Sequence, residues 1–229
     1  MKRLPHSLAK AGSLAMTEHG CDTVSKNRGH KVNHYIMCSA EINTEKLLIH
    51  ACCGPCATQV IELLSRDRRV TAFFYNPNIQ PEEEYLSRLA ALETFCHIRG
   101  IELISGRYDN QEWLELVAGL EDQPEGGKRC EVCFAMRLRK TALVAVEHGF
   151  KAFSTTLSIS PHKDAQVVNS IGRETGKQHN IIFLQGDFKK DNGYRKSCEL
   201  SRQYGLYRQK YCGCMYSKNS PQRPQSAQR

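Results

Sequence analysis

Four cysteine groupings in this chain have the residue types and spacing for chemistry. They are Cys52-Cys53-Gly54-Pro55-Cys56, Cys130-Glu131-Val132-Cys133, the lone Cys198, and Cys212-Gly213-Cys214. A C-x-x-C at the start of a helix brings two thiolates close to each other and to the positive dipole end. That placement lowers thiol pKa and suits a metal. Cys130 and Cys133, preceded by Lys128-Arg129, fit this description. Two thiolates leave a four-coordinate site half filled, and Cys52 with Cys53 can supply the rest. Such a set suits zinc or an iron–sulfur cluster, and spacing does not separate the two. Cys53-Gly54-Pro55-Cys56 also reads as a thiol–disulfide motif at a strand-to-helix turn, which leaves the other groupings idle. A disulfide between Cys212 and Cys214 would close a small strained ring, easily reduced and a poor staple. That pair is read as a redox relay, as two further metal ligands, or as surface thiols. Cys96 sits in an amphipathic segment and reads as a buried hydrophobe, while Cys21 and Cys38 lie in the N-terminal extension.

The elements that must position these thiols alternate between strand and helix. Residues 46–52 form an apolar run ending in turn chemistry, and 55–66 carry apolar residues at helical spacing behind Pro55. Strand patterns recur at 70–75, 101–105, 152–159 and 181–185. Helical patterns cover 82–99, 113–120, 130–148 and 164–175, with Gly149 and Gly176 as the expected stops of the last two. Alternation of this kind predicts an α/β fold, a Rossmann-like parallel sheet with helices on both faces. Ligands then bind outside the carboxyl ends of the strands, where most of these motifs fall.

The chain is organised as residues 1–44, a catalytic domain at 45–216, and a basic tail at 217–229. The first stretch lacks sustained periodicity and reads as a disordered extension, or as the product of an early start, since Met37 precedes the first strand. The tail is polar and Pro-containing and reads as disordered. No stretch approaches the ~20 apolar residues of a membrane span, and mean hydropathy is −0.51. The N-terminus lacks a secretory apolar core, so a cytoplasmic protein is expected. Eleven cysteines, an odd count, argue for metal or redox chemistry rather than a disulfide framework. A net charge of +8 permits a polyanionic partner.

In their order along the chain, these motifs resemble the QueH family of epoxyqueuosine reductases. The carrying residues are Leu47 through Cys56, Phe74-Tyr75-Asn76-Pro77-Asn78-Ile79, Arg129 through Cys133, Thr155-Thr156-Leu157 with Ser160-Pro161-His162-Lys163, Asp187 through Lys190, and Tyr211 through Cys214. The resemblance implies reduction of the epoxide of epoxyqueuosine to queuosine at the tRNA wobble position, with an unidentified electron donor. It implies a fold like the adenine nucleotide α-hydrolases. This chain has no glycine-rich phosphate loop after its first strand, so ATP use is not expected. By carry-over, Cys52, Cys53, Cys130 and Cys133 would hold a [4Fe–4S] cluster, and Cys212 with Cys214 would form a redox-active disulfide. The family can carry Asp at the position of Cys56, which here could help bind a second iron.

The chemistry asks for a proton donor, and His162, Asp164 and Tyr75 are the candidates at strand ends. For tRNA, the C-terminal region offers cations interleaved with aromatics, with Lys189, Lys190, Arg195 and Arg208 singled out. Two rival functions remain in view: a zinc-bound tRNA-binding module, and a thiol–disulfide oxidoreductase built on Cys53 and Cys56.

Overall fold

The structure is a computed structural model and describes residues 45–218. The expectations for residues 1–44 and for residues 219–229 lie outside the described residues. Residues 217 and 218, expected to open the tail, instead close a helical turn at Met215–Lys218 (α7).

Five parallel strands form one sheet: β1 (Lys46–His50), β2 (Arg69–Phe74), β3 (Glu102–Ser105), β4 (Ala152–Thr155) and β5 (Ile182–Phe183). Their order across the sheet is β3-β2-β1-β4-β5. The chain winds outward from β1 to β3, then crosses back and winds the other way, so the order reverses between β1 and β4. Such a reversal opens a crevice at the carboxyl ends of the two central strands.

Alternation along the strands builds a core on each face. Leu47, Ile49, Ala72 and Phe74 pack with apolar residues of α1 (Gly54–Leu64) and α2 (Glu82–Arg99). Leu48, Phe73 and Phe153 point the other way, onto Leu138, Ala142 and Ala145 of α4 (Lys128–Glu147). The short α3 (Asn110–Leu116) precedes α4, and α5 (Ala165–Gln178) packs beside it. On the opposite face α6 (Gly193–Gln203) lies against α1.

Glycines set two close approaches. A Cβ at Gly54 would lie 2.6 Å from the Ala91 carbonyl oxygen, so α1 meets α2 backbone to backbone. Gly176 was expected to stop α5, yet the helix runs through it to Gln178. The reason is packing: a Cβ there would sit 2.6 Å from the Ile181 carbonyl oxygen, where the chain turns into β5. The expected strand at 152–159 also divides. Its second half becomes a 3-10 turn, Leu157–Ile159, because β4 ends at the crevice.

Candidate active site

β1 delivers the first thiols. The chain leaves the sheet after His50, and Cys53 caps α1 in extended conformation with Pro55 in its first turn. This carries Cys52, Cys53 and Cys56 to the crevice with their sulfurs all within 4.8 Å of one another. Cys53 is buried, while Cys52 and Cys56 are half-buried. Three clustered soft donors fit a thiophilic metal. Cys56 is therefore not remote from the doublet: its sulfur belongs to the same trio.

The trio is electrostatically uneven. Hydrogen bonds from the Cys53 and Cys56 thiols hold the Cys52 thiol well below its ordinary range, and the Lys163 and Arg137 charges add to this. Burial, then the bond given to Cys52, pushes Cys53 up to about 12. Cys56 is pushed up chiefly by the hydrogen bonds it shares with Cys52 and Cys53. One thiolate supported by two thiols is the resulting arrangement.

The other cysteines gather on α4 and the C-terminal segment. Cys133 and Cys214 are buried in one apolar cluster with Trp113 and Val117. Cys130 is buried with Phe134 and Leu157, and Cys52 packs against that cluster. The expectation that a helix N-terminus lowers the Cys130 and Cys133 pKa values is reversed. Burial pushes Cys130 up to about 12 although the Gly126 amide donates to its sulfur at 3.2 Å, and burial raises Cys133 as well.

Cys212 and Cys214 are both free thiols, the first half-buried and the second buried. Between them Gly213 has φ +126°, and a Cβ added there would meet Ile79 Cγ1 at 2.9 Å and Arg88 Nη1 at 3.1 Å. The turn is clamped from α2, where Arg88 donates Nη1 to the Cys212 carbonyl (2.9 Å) and Nη2 to the Tyr211 carbonyl (3.1 Å). Glu84 pairs with the same guanidinium at 2.7 Å.

Below the trio lies a buried polar network. Arg137 is 2% exposed and donates Nη2 to Asn76 Oδ1 at 2.6 Å, while Nη1 faces the Cys133 sulfur at 3.9 Å. No carboxylate pairs with it among the described residues. His50 is fully buried, with Nδ1 2.9 Å from Thr155 Oγ1 and Nε2 3.1 Å from the Tyr75 carbonyl oxygen. Burial, then the Arg137 charge, lowers its pKa to about 3. Arg137 Nε, 3.4 Å away, donates to the same Nε2, so the guanidinium and the Tyr75 carbonyl favour opposite tautomers of the neutral ring.

Two cavities adjoin these groups. The larger, of about 310 Å³, exposes Cys52, Cys56 and Cys212 beside Arg88, Arg137, Lys163, Arg208 and Lys210. The smaller, of about 30 Å³, is lined by Cys130 and Cys212. Glu125, His162, Lys163 and Cys212 belong to the walls of both.

The three candidate acids are placed differently. His162 lies on the shared wall. Asp164 lines only the smaller cavity, and its Oδ1 accepts from the Gln166 amide at 2.7 Å as the cap of α5. Tyr75 is buried and lines neither cavity, and its hydroxyl donates to Asp109 Oδ2 at 3.2 Å. Of the four cations singled out for tRNA, Arg208 lines the larger cavity, reaching the Ser201 hydroxyl and the Cys198 sulfur. Lys189 donates to the Lys163 carbonyl at 2.8 Å, Lys190 lies 4.0 Å from Asp187, and Arg195 pairs with Glu199 along α6. Arg88 and Arg137 were missed by motif reading. Their signal is an arginine on the buried stripe of a helix, among Tyr85, Leu92 and Phe95 in α2 and Phe134, Leu138 and Ala145 in α4.

The model of the family described as "Epoxyqueuosine reductase QueH" matches residues 47–220, well over half of the chain. The chain belongs to the QueH family. It is accordingly an oxidoreductase of the epoxyqueuosine reductase kind, and the binding-module reading gives way. A QueH protein of Streptococcus pyogenes is 42% identical over 177 residues, covering 75% of this chain and 69% of that protein. Another, from Staphylococcus aureus, is 34% identical over 209 residues, covering 85% and 87%. Among solved structures, the U34-tRNA thiolase NcsA of Methanococcus maripaludis, determined with its [4Fe–4S] cluster, superposes with a TM-score of 0.51 at 17% identity. The match covers 76% of this chain and 62% of that one, and it speaks for the shared α/β fold. No helix among the described residues is long and apolar enough to cross a membrane.

Proposed function

We propose that this chain reduces the epoxide of epoxyqueuosine in tRNA to the cyclopentene of queuosine. The observation that carries the reading is the thiol trio of Cys52, Cys53 and Cys56 at the switch point of the sheet, in a chain of the QueH family. Opening an epoxide to an alkene breaks two carbon–oxygen bonds, forms one carbon–carbon π bond, and takes up two electrons and two protons as water leaves. Cys52, Cys53, Cys130 and Cys133 would hold a [4Fe–4S] cluster, with Cys56 available to a second iron. Such a group supplies electrons one at a time, and an iron with an open position supplies a Lewis acid.

The remaining roles belong to the chain itself. Oxidation of Cys212 and Cys214 to a disulfide releases two electrons and two protons, the quantities the reaction consumes. An external donor, not identified by the site, then restores the thiols. His162, on the wall shared by both cavities, is the proposed proton donor. Asp164 holds the start of α5, which fixes the turn carrying His162. Arg208 and Tyr194, on the rim of the larger cavity, would meet the nucleotides flanking the extruded wobble base. A protein working on tRNA in this way acts in the cytoplasm.

The test begins with iron, acid-labile sulfide and zinc per chain on protein purified without oxygen, followed by turnover of epoxyqueuosine-containing tRNA. About four sulfides are expected with four irons for the cluster and a fifth for the site that includes Cys56, with conversion to queuosine under a chemical reductant. Stoichiometric zinc without sulfide, persisting after attempted reconstitution, overturns the reading. In the same assay Cys56→Ala is expected to lose iron beyond the cluster and to lose activity. Full iron and full activity in that variant would remove Cys56 from the site.

A further inference from the structure

Five cations line the larger cavity, and four of them are committed to protein partners. Arg88 is held by Glu84 and two carbonyls, Arg137 by Asn76, and Arg208 by Ser201 and Cys198. Lys210 also has a partner. Lys163 differs, because its ammonium has no hydrogen bond and no ion pair among the described residues. Its backbone is fixed nonetheless: the amide donates to the Ser160 carbonyl at 3.3 Å, and the carbonyl accepts from Lys189 Nζ at 2.8 Å. The next residue, Asp164, caps α5. Lys163 is half-buried and lines both cavities, sharing the larger with Cys52, Cys56 and Cys212 and the smaller with Cys130 and Cys212.

A cation fixed at its backbone, with no hydrogen bond or ion pair among the described residues, in the cavity that holds these thiols is built to meet negative charge that develops during a reaction. We propose that the Lys163 ammonium is a catalytic residue that faces the epoxide oxygen and stabilises the charge it gains as its first carbon–oxygen bond breaks. The inference rests on the reductase reading above. The electrons come from the reductant of that reaction, and the proton that completes the hydroxyl comes from His162 or water. Lys163 forms no bond and gives up no proton.

The experiment compares the wild-type protein with Lys163→Gln and Lys163→Arg, all reconstituted without oxygen. Three quantities are read: metal and sulfide per chain, affinity of the unreconstituted protein for substrate tRNA, and single-turnover rate with epoxyqueuosine-tRNA. Lys163→Gln is expected to slow turnover by about 10²–10³-fold, the usual effect of losing one preorganised charge donor. Metal content should be unchanged, and tRNA affinity should stay within about threefold, less than ~1 kcal/mol. Lys163→Arg keeps the charge and should restore part of the rate. Should Lys163→Gln fail to fold by its thermal transition, an Arg variant with full metal and full rate still overturns a requirement for the compact ammonium. Equal losses of affinity and rate would make Lys163 a phosphate contact, and a fall in iron and sulfide would make it a counter-ion of the metal centre. Either result, or an unchanged rate, overturns the proposal. A wild-type protein that turns over no epoxyqueuosine-tRNA overturns the reductase reading itself, and the inference with it.

Discussion

Arg88 and Arg137 lie on the buried stripes of their helices, Arg88 beside Tyr85, Ala91 and Leu92 and Arg137 beside Cys133, Phe134 and Thr141. A guanidinium is costly to bury, so each must find compensation inside the fold. Arg88 finds Glu84 and the carbonyls on either side of the Tyr211–Cys212 peptide bond. Its removal would leave a carboxylate and two carbonyls short of a donor. Arg88→Met is therefore expected to cost about 3–5 kcal/mol of stability, as for other broken buried pairs. Denaturant unfolding of the full chain measures this, and a change below ~1 kcal/mol would show that the clamp is not energetically important. Arg137 finds an amide oxygen and the edge of the thiol set, with no carboxylate at hand. Its charge instead helps hold the Cys52 thiol low, which links the core to the state of the thiols.

At the scale of elements, the site depends on how closely backbones approach. α1 can begin at Cys53 only because Gly54 lets its first turn touch α2 at Ala91. The Cys212–Cys214 turn lies against Ile79 only because Gly213 has no side chain and accepts a positive φ. Gly213→Ala forces a Cβ to within 2.9 Å of Ile79 Cγ1 in a backbone conformation that L-residues avoid. The variant is expected to lose about 1–3 kcal/mol, to displace Cys212 from the cavity wall and to loosen Cys214 in its apolar cluster. Differential alkylation of Cys212 and Cys214 in the two proteins checks this, since a displaced turn labels faster. Unchanged labelling and stability would mean that the turn relaxes without leaving its place.

For the whole molecule, the sheet's reversal between β1 and β4 decides where chemistry is possible, and the charge decides what approaches it. Residues 45–218 hold 24 Lys and Arg against 21 Asp and Glu, only three of the eight excess charges, and five of those cations line the larger cavity. Lys190 and Arg195 lie beside Asp187 and Glu199 and are exposed, whereas Arg208 is on the cavity wall. Charge reversal at Arg208 is expected to weaken tRNA binding by about tenfold and to reduce the salt dependence by about one phosphate contact. Reversal at Lys190 or Arg195 should change affinity by less than about threefold, as exposed paired charges contribute little. Filter binding across a salt series distinguishes these outcomes, and equal effects at all three positions would place the RNA on the outer face of α6.

The alternation of strands and helices, the parallel sheet and the cysteine groupings were legible in the sequence because they depend on local periodicity and on residue type. Helix ends were less legible. Gly176 is a helix-stop signal by itself, and only the return of the chain at Ile181 turns it into a packing residue. The grouping of Cys56 with Cys52 and Cys53 was half visible, since spacing places the three at one turn but not their sulfurs within one sphere. The Arg88 clamp, the Arg137 network and the place of Lys163 in one cavity with Cys52, Cys56 and Cys212 join residues far apart along the chain. Such contacts are decided when the sheet closes and helices dock on it, because burial, and with it the choice of partner for each charge, exists only in the folded chain.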